Sequence, residues 1–136
     1  MEKRRRRIKR PVNENVPVPK EAQEQAWFFN WCKYASVKWS ELDLLYHIPN
    51  GGSRNAIEAV HLKAQGVKKG VPDLCLPVPR GKFHGLYIEM KRQKGGTLSL
   101  DQKEWIARLK NQGYRVEVCK GFQEAANVLE DYLQGG

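Results

Sequence analysis

Residues 83–91, FHGLYIEMK, alternate strictly: Leu86, Ile88 and Met90 point one way, and Tyr87, Glu89 and Lys91 the other. That period of two is a strand with two different faces. A second apolar segment, residues 73–78, precedes it, and Pro79 to Lys82 supply a turn. The two segments read as a hairpin, the element around which the rest of the chain has to arrange itself.

The flanking segments have mostly helical spacing. From residue 21 to about 37, Phe28, Cys32 and Ala35 follow one stripe and Trp27, Trp31 and Tyr34 an adjacent one. So many aromatics on neighbouring stripes predict a largely buried helix. The apolar run 42–48, LDLLYHI, reads as a strand that Pro49-Asn50-Gly51-Gly52 breaks. Ser53 then caps a helix carrying Ile57, Val60 and Ala64, with Gly66 as its left-handed stop. Ser99 opens a further helix with Trp105, Ile106 and Leu109 on the core side, and Gly113 ends it. Residues 114–119 are a strand, and a last helix covers residues 122–133. The predicted order is α-β-α-β-β-α-β-α, an α/β fold with a mixed central sheet flanked by helices.

A chain of 136 residues supports one domain. Residues 1–20 read as a basic tail followed by a Pro-rich linker, and residues 21–136 as the folded domain. Residues 1–10 carry +6 of the formal +9, so the remainder carries only +3. A basic excess points to a polyanion, yet a tail of this kind also serves solubility or targeting. The argument for nucleic acid therefore has to come from the domain. No stretch approaches 18 consecutive apolar residues, which excludes a membrane span of that kind, and MEKRRRRIKR lacks the apolar core of a secretory signal. Cys32, Cys75 and Cys119 lack metal-site spacing and read as small buried hydrophobes in a reducing compartment, the cytoplasm.

Chemistry concentrates at Pro72-Asp73 and Glu89-Met90-Lys91. Glu89 and Lys91 share a strand face, roughly 6.6–6.8 Å apart along the strand. A hairpin brings Asp73 towards Glu89. Two carboxylates that close repel unless a cation separates them, and oxygen donors favour Mg²⁺ or Mn²⁺. The alternative is a solvated strand face with an ordinary salt bridge.

Gly70-Val71-Pro72-Asp73-Leu74 followed by Ile88-Glu89-Met90-Lys91 resembles the PD-(D/E)xK nuclease signature. The segment His47-Ile48-Pro49-Asn50-Gly51-Gly52 with Arg54, and the blocks at Ser99, Gln102 and Gly113, are similar to the VRR-NUC branch of that superfamily, over roughly residues 21–130. A domain this small resembles the standalone viral and bacterial members. The resemblance implies a restriction-endonuclease-like fold, a divalent metal and phosphodiester hydrolysis that leaves a 5′-phosphate. It implies Asp73, Glu89 and the Met90 carbonyl as metal ligands and Lys91 as the catalytic lysine.

It further assigns a first-helix acid to Glu24, with Glu21 as the competing choice; both also suit a helix's first turn. Gln102 matches a family glutamine and equally completes a capping box with Ser99. Asn50, Ser53 and Arg54 could hold a phosphate, as could Lys68 and Lys69 at the cleft rim; each also reads as an ordinary turn or solvated lysine. His47, His61 and His84 share no spacing. The four tryptophans, 27, 31, 39 and 105, read as core. The expected substrate is branched or structured DNA, cut by a homodimer as junction resolvases do. The alternatives are a non-catalytic nucleic-acid-binding module and an RNA-directed nuclease.

Overall fold

The structure, a computed structural model, describes residues 17–49 and 55–135. The basic tail and most of the linker, together with Asn50, Ser53 and Arg54, lie outside the described residues.

The elements run α1 (Glu21–Ala35), a 3-10 helix (Ser40–Leu44), β1 (Tyr46–His47), α2 (Ala56–Ala64), β2 (Leu74–Leu76), β3 (Leu86–Lys91), α3 (Leu100–Asn111), β4 (Arg115–Lys120) and α4 (Phe122–Leu133). The four strands form one sheet in chain order. β1 pairs antiparallel with β2, β2 antiparallel with β3, and β3 parallel with β4 across the α3 connection. The mixed sheet flanked by helices follows the predicted order, with the 3-10 helix added.

The hairpin forms as expected. Arg80 and Phe83 exchange both main-chain hydrogen bonds to close its turn, and the Leu74↔Ile88 and Leu76↔Leu86 pairs set the register. One sheet face carries Leu74, Leu76, Leu86, Ile88 and Met90. They pack with Phe28 and Cys32 of α1 and with Leu129 and Tyr132 of α4 in the main core. Tyr132, fully buried, donates its hydroxyl to the Val78 carbonyl. Gln102 of α3 reaches the opposite face of the sheet, and the half-buried Trp105, Ile106 and Leu109 lie on the same helix.

Three expectations are corrected. Residues 42–48 do not form one strand: Leu42 and Leu45, both buried, sit three residues apart, the period of a 3-10 turn, and only Tyr46–His47 pair with β2. In α1 only the stripe of Glu24, Phe28 and Cys32 is buried, while Trp27 and Tyr34 are exposed, because a helix packed on one side covers one stripe. In α2 no residue is buried, and Ile57 and Val60 face solvent; its cap is Asn55, whose Oδ1 accepts the Glu58 N–H at 2.7 Å. Gly66 and Gly113 do end their helices with positive φ, and all three cysteines are free and buried. Burial pushes the Cys32 and Cys119 thiols up to about 12, so they stay protonated.

Candidate active site

β3 is flanked by β2 and β4, and helices approach both faces. Its polar residues are therefore buried rather than solvated: Glu89 is 2% exposed and Lys91 8%. The reading of Glu-x-Lys as a solvated face does not hold. One residue beyond the Leu74↔Ile88 pair, Asp73 stands across from Glu89 on the same face. Asp73 Oδ2 accepts the Met90 N–H at 2.8 Å, in place of a continued strand ladder. In a strand, the N–H and C=O of one residue point to the same side. The Met90 carbonyl is thereby aimed towards the edge that holds Asp73. On the other side of Asp73, its own carbonyl accepts the Ile48 N–H and lies 2.9 Å from His47 Nδ1, which ties β1 to the site.

The electrostatics follow from crowding acids in a closed space. Burial first, and then the Asp73 charge, push the Glu89 carboxyl up to about 8, with the Lys91 ammonium opposing. Burial also raises Asp73, against the lowering effect of the Met90 hydrogen bond. Lys91 Nζ lies 3.8 Å from Glu89 Oε1, and Gln102 Nε2 donates to the same oxygen at 3.0 Å. Glu89 Oε2 is enclosed without a hydrogen-bond partner among the described residues. Such an atom costs about 1–3 kcal/mol, more when charged, unless something electropositive meets it.

Gln102 completes the capping box and also reaches Glu89. Its Oε1 accepts the Ser99 N–H at 2.9 Å while Ser99 Oγ accepts the Gln102 N–H, completing the capping box. The remaining amide end points at Glu89. What brings α3 close enough is Gly70. Its φ is +88°, and a Cβ there would lie 2.5 Å from the Asp101 main chain.

Glu24 is fully buried, and both of its oxygens are used structurally. Oε1 accepts from Gln93 Nε2 at 2.6 Å and Oε2 from the Phe122 N–H at 2.7 Å. It thus joins α1 to the residues after β3 and to the start of α4. The first-helix acid whose charge acts on Glu89 is Glu21, one turn earlier. Gln93 and Gly121 are the participants that sequence reasoning missed, and for Gly70 it missed the packing against Asp101. A Cβ at Gly121 would lie 3.0 Å from Gln93 Cγ and 3.4 Å from Glu24 Oε2. The isolated glycines were visible signals, but their meaning depends on long-range contacts.

Lys68 and Lys69 are exposed on the α2–β2 connection. Lys68 lines clefts of about 520 and 540 Å³ that run along α2, the connection and α3, and Lys69 lines the second. Both clefts include Asp101, the residue before Gln102, and neither is lined by Asp73 or Glu89.

A family model for the VRR-NUC domain matches residues 7–123. The chain belongs to the VRR-NUC family. A solved structure described as a VRR_NUC domain protein is 32% identical, with a TM-score of 0.76 over 89% of this chain and 93% of that one. No curated protein matches the chain significantly. The VRR-NUC fold makes this a nuclease-type domain and makes nucleic acid its expected partner.

The donor set can be tested against the metal that such a domain implies. Among the described residues, no cluster of three or more His, Cys, Asp or Glu side chains could hold a metal. Two carboxylates and a main-chain carbonyl do not suit zinc, but they suit a hard cation that keeps several waters. The matching observation is the crowding of the two carboxyls: they share a hydrogen bond, and the enclosed Glu89 Oε2 meets no cationic or N–H donor among the described residues. The residues fit Mg²⁺ or Mn²⁺.

Proposed function

We propose that this VRR-NUC chain is a divalent-metal-dependent DNA endonuclease acting on branched or otherwise structured DNA. The observation that carries the reading is the facing pair of the half-buried Asp73 and the buried Glu89, with the buried Lys91 on the same face.

Asp73, Glu89 and the Met90 carbonyl would hold the Mg²⁺. When bound, the ion supplies positive charge against the negative charge that builds on the phosphate. The chain's own groups do the rest. Gln102 fixes Glu89 through Oε1, which leaves Oε2 to face inward. The Lys91 ammonium, enclosed beside Glu89, orients the attacking water and opposes the growing charge on the phosphate. Glu24 acts as a positioning residue through Gln93 and Phe122, and Glu21 supplies the first-helix charge near Glu89. The product carries a 5′-phosphate, on the resemblance alone. Lys68 and Lys69, beside the clefts along α3, meet the DNA backbone. Asn50, Ser53, Arg54 and the basic residues 1–10 add further phosphate contacts.

Cutting both strands of a symmetric junction takes two active sites, and hence two copies of the chain.

The test is cleavage of branched and linear DNA, and of the RNA equivalents, with Mg²⁺ or with EDTA. The expected result is metal-dependent cutting of branched DNA that falls at least about 100-fold in Lys91→Ala while binding persists. Binding without cutting under either Mg²⁺ or Mn²⁺ would leave only a binding module. Preferential cutting of RNA would move the substrate class.

A further inference from the structure

The face that carries Asp73 and Glu89 continues, one row further along the hairpin, as aromatic surface. Tyr46, Cys75 and Tyr87 are Cα partners on β1, β2 and β3, so their side chains share that face. The Cys75 thiol shares hydrogen bonds with both phenols, which holds one ring on either side of it. Tyr114 meets Tyr87 edge to face, with centroids 5.3 Å apart, and His84 meets Tyr114 at 5.9 Å.

Two glycines make this row possible. A Cβ at Gly113 would fall 2.6 Å from the His84 ring, and one at Gly85 would lie 3.3 Å from Tyr114. The row is not a closed core: Tyr46, on the edge strand, is 49% exposed, His84 is exposed, and Tyr87 and Tyr114 are half-buried. From Tyr87 to Glu89 is two residues, roughly 6.6–6.8 Å of strand.

Neutral aromatic rings beside a pair of acids suit nucleobases rather than phosphates. Every base has a π-face, so stacking on such rings tolerates any sequence. We propose that Tyr46 and Tyr87, backed by Tyr114 and His84, form a stacking platform for unpaired bases next to the phosphodiester that meets Asp73 and Glu89. This rests on the nuclease reading of that site and deepens it: the substrate has a single-stranded segment at the cut.

The test measures binding of the full chain to labelled single-stranded and duplex DNA of equal length, with Ca²⁺ in place of Mg²⁺. Tyr46 is chosen because its exposure makes it the safest position to change. Tyr46→Ala should weaken single-strand binding about tenfold and leave duplex binding within about twofold, while Tyr46→Phe should bind as the wild type does. Equal loss on both substrates, or no loss, overturns the proposal. So does a changed sedimentation coefficient without changed binding, which would assign the rings to a contact between copies. If the wild type shows Tyr46-dependent single-strand binding but cuts nothing with Mg²⁺, the nuclease reading falls and the platform stands. No binding to any DNA overturns both.

Discussion

The end of β3 and the whole of α2 depart from ordinary sorting in opposite directions. At Glu89-Met90-Lys91, charged groups are buried; along Ala56–Ala64, apolar groups are exposed and nothing is buried. Topology explains both. β3 lies inside the sheet where α1, α3 and α4 converge, so whatever stands there is enclosed. α2 lies on the periphery, and among the described residues nothing packs closely over Ile57 and Val60. The first departure is held in place by Gln102, which donates to Glu89, and by Asp73, which accepts the Met90 N–H.

The largest effect on stability is expected at Gly70, where the positive φ and the contact with Asp101 coincide. Gly70→Ala should destabilise the chain by about 2–4 kcal/mol, read as a lower urea midpoint, because strain and overpacking add. An unchanged midpoint would show that α3 does not rest on this loop.

The next effect is the pH dependence of the metal-free protein. The Glu89 carboxyl is raised from 4.5 to about 8 in the fold, so its contribution to stability is fully present below about 4.5 and is lost as pH rises towards 8. With chelator present, Tm should fall over that window, and Glu89→Gln should flatten the fall. A Glu89→Gln chain with the same slope would deny that this carboxyl is crowded.

Gln102→Ala should cost about 1 kcal/mol through the capping box and lower cleavage further. Gln102→Glu keeps an acceptor for the Ser99 N–H but sets a second acid against Glu89. It should spare more stability than Ala while losing as much activity, as paired melting and cleavage measurements would show. The smallest effect belongs to α2: Ile57→Ser and Val60→Ser should change stability by no more than about 0.5 kcal/mol. A larger loss would mean that the helix is covered after all.

Much of this was legible in the sequence. Alternation marked β3, the bounds of α4 matched residue for residue, and the Ser99–Gln102 spacing carried the capping box into the structure. Leu42 and Leu45 were misassigned because an apolar run of seven residues cannot separate a period of three from a period of two. Trp27 and Tyr34 were placed inside because hydrophobic stripes do not say how wide the covering surface is. Glu24 is the instructive case. Its partners, Gln93 and Phe122, lie 69 and 98 residues away, and no local pattern shows them. The roles of Gly70 and Gly121 were hidden for the same reason.

The central claim is that Asp73 and Glu89 form a cation site, and thermal melting at pH 8 with and without Mg²⁺ tests it most directly. The wild type should gain Tm with Mg²⁺, and Glu89→Gln should start higher without metal and gain nothing on its addition. An equal Mg²⁺ response in both chains, or none in the wild type, would contradict the account.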